Sequence, residues 1–76
     1  MSGRELDIAD MQCWVFHMAQ SKWHVSGEEC AELFRKYDIL GFISECYELL
    51  HLNSYACVLD DVETILRNSG ETSWEH

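Results

Sequence analysis

Four cysteines and four histidines are the residues here with the widest chemical reach. The cysteines stand at 13, 30, 46 and 57, with no C-x-x-C pair and no H-x-x-x-H beside them. Cys13 and His17 are four residues apart, so a helix would carry both on one face, as a pair of zinc ligands requires. The simpler reading gives the thiols to packing. Cys30 and Cys46 fall in apolar stripes, where a free cysteine behaves as a small hydrophobe. Thiol chemistry needs a lowered pKa and an exposed position. Cys57, near a possible edge, comes nearest to that. His51 closes an expected helix, where the dipole favours a protonated imidazole. It follows Tyr47 by one turn, so Tyr47 and His51 could face one groove. Alternatively His51 simply caps the helix. His17 and His24 read as partly exposed residues without a role. Neither Ser26 nor Ser44 has a base placed by spacing. No catalytic residue, no metal and no cofactor are expected, and the chain does not read as an enzyme.

Carboxylates are abundant, yet their placement is ordinary. Asp60-Asp61 reads as a helix cap and Glu28-Glu29 as first-turn charge. There is no phosphate loop and no dinucleotide fingerprint. Two helices between Ser26 and His51 mimic a helix-turn-helix, but the second presents Ser44, Glu45 and Glu48 and no Lys or Arg. A DNA-reading helix needs basic and amide side chains, so nucleic acid is excluded. The net charge of −9, from 14 acidic and 5 basic residues, repels phosphate backbones. It suits a partner with a basic face, or serves only solubility. No apolar core follows a basic start, and no apolar run approaches the roughly 20 residues that cross a bilayer. The expectation is a cytoplasmic protein with reduced thiols and no disulfide.

Those residues must be positioned by helices. Seventy-six residues make a single domain, 1–76, with an ordered core over 5–69 and a polar tail over 70–76. Residues 1–3 read as a frayed end. A first helix is expected from Arg4 or Glu5 to Lys22, with Ile8, Met11, Val15 and Met18 on one face. Cys13, Trp14 and Phe16 point elsewhere, so it is apolar most of the way round, as a central or interface helix is. Ser26 and Glu29 form a capping box, in which the Glu29 side chain returns to the Ser26 N–H. Val25 and Cys30 are its hydrophobic staple. Cys30, Leu33, Phe34 and Tyr37 stripe the second helix. Asp38, at a break without Gly or Pro, is expected in a left-handed closing position. A third helix runs from about Leu40 to His51, striped by Ile39, Ile43, Cys46, Tyr47 and Leu50. Gly41, early in it, permits a close approach. Residues 55–59 read as a short extended or β segment, which needs a partner strand, such as that of a second copy of the chain. Asp60 then caps a two-turn fourth helix ending at Asn68 and Gly70. Trp74 is either incidental or a docking anchor. The fold class is mainly α: a small four-helix domain with one extended segment.

Val25-Ser26-Gly27-Glu28-Glu29, Glu32-Leu33-Phe34-Arg35-Lys36-Tyr37, Tyr47-Glu48-Leu49-Leu50-His51 and Val58-Leu59-Asp60-Asp61-Val62 resemble domain-of-unknown-function family 3791, a family of small bacterial proteins. The likeness runs from about Cys13 to Leu66. This chain has Asp38 where the family usually has Gly, and Gly41 where it often has Asp. The resemblance implies no established activity. It implies genes beside, or fused to, ADP-ribosyltransferase-like toxin domains, and so an accessory or neutralising, antitoxin-like partner.

The expected function is thus an acidic protein-interaction module, with a neighbouring-gene toxin as partner and a homodimer as a further possibility. Its outward residues are Glu28, Glu32, Glu45 and Glu48, with Tyr47 and His51. The alternative is a small metal- or ligand-binding domain using Cys13, His17 and the Tyr47–His51 groove.

Overall fold

The computed structural model describes residues 3–72 and Trp74. The expected fraying of Met1 and Ser2, and the tail residues Ser73, Glu75 and His76, lie outside the described residues. Four helices follow in order: α1 (Gly3–Trp23), α2 (Gly27–Lys36), α3 (Ile39–Leu50) and α4 (Tyr55–Asn68). At 1.5 Å per residue α1 is about 32 Å long, and it accounts for most of the 37 Å long axis. The other three helices all pack on it, and α2 also packs on α3. This is why α1 is apolar in several directions. Met11, Val15, Ala19 and Trp23 form its buried line. The expected Ile8 and Met18 lie at its margins, only partly covered.

Local signals explain most of the boundaries. His24 takes a left-handed conformation, with φ of 55°, and Val25 N–H reaches back to the Gln20 carbonyl at 3.4 Å. That is the 6→1 bond of a Schellman ending. Ser26 then starts α2, its hydroxyl oxygen accepting from Glu29 N–H at 3.1 Å. The Glu29 carboxylate, however, accepts the Ser26 hydroxyl rather than the Ser26 N–H. Val25 and Cys30 are both buried, as the staple requires. Asp38 is left-handed as expected, with φ of 50°. Its carboxylate fills the space that a side chain at Gly41 would need.

The extended segment at 55–59 is not observed: these residues are the opening turns of α4. Asp60 is therefore mid-helix rather than a cap. Ser54 holds the cap instead, accepting from Cys57 N–H at 3.3 Å. The reason is periodicity. Tyr55, Val58, Leu59, Val62 and Leu66 keep one helical stripe across the whole span, and burial along that stripe outweighs the local β preference. Among the described residues there is no strand. Ser54→Ala should lower stability by about 1 kcal/mol, while Asp60→Ala should change it far less. Paired urea melts of the two variants check this ordering.

The C-terminal residues are not simply a polar tail. Gly70 adopts φ of 81°, and Glu71 N–H returns to the Leu66 carbonyl at 2.9 Å, a second Schellman ending. The turn brings Trp74 down onto Trp23, ring centroids 5.3 Å apart, and leaves Trp74 only 5% exposed. Its indole N–H donates to the Glu71 carbonyl at 2.9 Å. The Glu71 side chain accepts from the Tyr37 hydroxyl at 2.8 Å. Phe16, Phe34, Trp23 and Trp74 thus form a continuous aromatic column joining α1, α2 and the C-terminus.

Candidate functional site

Tyr47 and His51, one turn apart on α3, do come together. Their rings stack at 5.2 Å and 17°, and the exposed His51 hydrogen-bonds through Nδ1 to the Tyr47 carbonyl at 3.0 Å. The Tyr47 carbonyl also accepts the His51 backbone N–H at 2.9 Å, so an Nδ1–H tautomer would add a second donor to it at the helix end. Glu28 and Glu32 share a shallow depression on α2 with Ala31 and Arg35, and Arg35 pairs with Glu32. Glu45 and Glu48 are exposed on α3. These four glutamates line neither the apolar groove between α1 and α4 nor the one between α3 and α4. Lys36 does not pair with Glu32; it reaches Glu71 at 3.4 Å.

The described cysteines and histidines fall into three environments, Cys46 being half-buried. Cys13, Cys57 and His17 are exposed, and Cys30 is fully buried. Among the described residues no three of His, Cys, Asp or Glu gather where they could hold a metal ion, so Cys13 and His17 present a pair without a third ligand there. Burial pushes the Cys30 thiol up from about 9.0 to about 11. The hydrogen bond to Glu71, and then burial, raise the Tyr37 hydroxyl as well. Both groups are proton-bearing in the native state. Below pH 9 the unfolded chain also keeps the Cys30 proton, so this group adds no pH dependence there. As pH climbs from 9.0 toward about 11, the unfolded chain loses that proton first and folding weakens. Stability should therefore decline on alkaline titration above pH 9. At neutral pH a maleimide should label Cys13 and Cys57 and spare Cys30 until the chain unfolds, as read by mass spectrometry.

One feature of the described surface lies between α1 and α4. It is an open, mainly apolar groove of about 480 Å³. Trp14, His17, Met18, Ser21 and Lys22 form its α1 wall, and Ala56, Leu59 and Asp60 its α4 wall. Trp14 stands 55% exposed at its edge. Glu63, 4% exposed, accepts the Trp23 indole N–H at 2.8 Å and the Lys22 ammonium at 3.1 Å. Lys22 also lies 3.9 Å from Asp60. A second groove, of about 340 Å³, runs between α3 and α4 past Phe42, Cys46, Leu49 and Ile65.

Neither Trp14 as a site residue nor Glu63 as a buried anchor is among the residues expected from the sequence. The signal for Trp14 was present: it lies off the Met11–Val15–Ala19 line on a helix apolar most of the way round. The signal for Glu63 appears once α4 starts at Tyr55, because Glu63 then sits beside Val62 and Leu66 on the inner face.

Helix content and connectivity define a small all-α domain built around one central helix, with open grooves on either side of α4. A family model described as "Protein of unknown function (DUF3791)" matches residues 10–69, and the chain belongs to that family. No curated protein and no solved structure matches it. Among the described residues no helix is long and apolar enough to cross a membrane.

Proposed function

We propose that this domain is a non-enzymatic protein-interaction module. Trp14 carries the reading. A half-exposed tryptophan beside an apolar groove is an unusual feature on a surface with a net charge of −9. Tryptophan is enriched among residues that dominate binding energy. The groove is open along its length, whereas small-molecule sites bury most of their ligand. That favours a macromolecular partner over a small ligand.

The partner we propose is the product of an adjacent gene, an ADP-ribosyltransferase-like toxin, with this chain as its antitoxin-like neutraliser. The resemblance to bacterial family members with such neighbours supports that choice, and the acidic charge is compatible with it. We place the pair in the cytoplasm, in keeping with four free cysteines. The homodimer reading loses one of its two motives, since residues 55–59 are helical and need no partner strand.

Co-expression with the adjacent gene product should yield a co-eluting complex and protect the host from the toxin. No complex and no protection would end the toxin assignment. Trp14→Ala should weaken the complex by at least about tenfold, given the 2 kcal/mol or more typical of a tryptophan hot spot. Its melting temperature should stay close to that of the parent, because the side chain is more than half exposed.

A further inference from the structure

We infer that the α1/α4 groove takes the apolar face of an amphipathic helix whose flanks carry lysine or arginine; this rests on the protein-interaction reading above. The shape of the groove selects a helix. On one wall Trp14, His17, Met18 and Ser21 follow the i, i+3, i+4, i+7 spacing of a helical ridge. On the other, Ala56, Leu59 and Asp60 follow i, i+3, i+4. Two helical ridges facing across a groove accept a third ridge between them, with aliphatic side chains at the same spacing. The α1 wall spans about two turns, or roughly 11 Å at 1.5 Å per residue, which seats two or three anchor side chains.

Charge selects the flanks. Asp60 stands on the α4 rim, and Asp10 lies one turn before Trp14 on α1, exposed. The lysine on the rim, Lys22, is already engaged by Glu63 and Asp60. A partner therefore meets the Asp10 carboxylate beside the groove and a Lys22–Asp60–Glu63 cluster with one more carboxylate than ammonium, inside the field of a chain carrying −9. The same field opposes a second copy of this chain and an anionic lipid surface. The α3/α4 groove is smaller and offers Leu49 in place of a tryptophan, so it is the weaker site.

The test is a nitrogen-15 NMR titration of the full chain with three synthetic peptides. One is a leucine/lysine helix with leucines at i, i+3, i+4 and i+7. The second has the same composition in scrambled order, and the third is the patterned helix with glutamate for lysine. The patterned leucine/lysine helix should bind at least tenfold tighter than the other two. It should move the Trp14 indole and the Ala56 and Leu59 amides while leaving the Trp23 indole in place. Trp14→Ala should cost tenfold or more, and Leu49→Ala nothing. Equal binding of patterned and scrambled peptides, or shifts centred on α2 or α3, would overturn the inference. So would concentration-dependent broadening of the groove resonances without peptide, which means that a second copy fills the groove. An adjacent-gene complex that survives Trp14→Ala leaves the interaction reading standing and removes this one. Failure of the toxin to bind while the patterned peptide does so removes the toxin alone.

Discussion

Trp74→Ala should be among the most destabilising single changes in this domain, costing about 3 kcal/mol. Truncating a buried tryptophan typically costs 3–5 kcal/mol, and the low end suits a residue near the chain terminus. Trp74 packs on Trp23, lies under the Arg67 guanidinium at 5.2 Å and holds the Glu71 carbonyl through its N–H. Removing the ring exposes one face of Trp23, otherwise 2% exposed, and frees the turn that presents Glu71 to Tyr37. In a domain of this size each kcal/mol shifts the melting temperature by roughly 4–8 °C. A drop of more than about 10 °C is therefore expected in a circular-dichroism melt. A chain ending at Gly70 should lose at least as much, because it also lacks Glu71. A melting temperature within about 2 °C of the parent would show that the C-terminal segment does not close the core.

That segment also marks the limit of what the sequence made legible. Local chemistry was readable: the Ser26–Glu29 cap, the Cys30–Tyr37 stripe, the left-handed Asp38 and the Tyr47–His51 pair all follow from spacings of four residues or fewer along a helix. Residues 55–59 are helical where an extended segment is expected, because the local preference in Tyr-Ala-Cys-Val-Leu yields to the longer period running on to Leu66. Trp74 carried no readable period at all. Its partner, Trp23, is 51 residues away in the chain, and only the turn at Gly70 joins them. The groove beside Trp14 was hidden for a related reason. An all-round apolar helix announces neighbours, but not which side stays uncovered, and that depends on where α4 lies.

Glu63 offers the second large effect, and the order of its variants is more telling than any one value. Its carboxylate is the acceptor for the Trp23 indole N–H and the Lys22 ammonium. Glu63→Ala leaves the indole donor buried without that partner and opens space beside Val62 and Leu66. Breaking a buried charged pair by removing one member typically costs 3–5 kcal/mol. Lys22 is about half exposed and can return to water, so about 3 kcal/mol is expected here. Glu63→Gln keeps an oxygen for the indole and loses only the charge, and should cost nearer 1 kcal/mol. Lys22→Met tests the other arm. It leaves the Trp23–Glu63 bond intact and should cost less than Glu63→Ala, because Lys22 is half exposed and the buried Glu63 carboxylate keeps the indole donor. Urea melts of the three variants should rank them Ala worst, with Gln and Met well behind. Equal losses for Glu63→Ala and Glu63→Gln would mean that the charge, not the indole bond, holds α1 to α4. The distinction reaches the groove, since Lys22 and Asp60 line it and Glu63 fixes the ammonium between them. Glu63→Gln should therefore loosen Lys22 and alter affinity for a basic helix more than it alters stability, whereas Glu63→Ala should damage both.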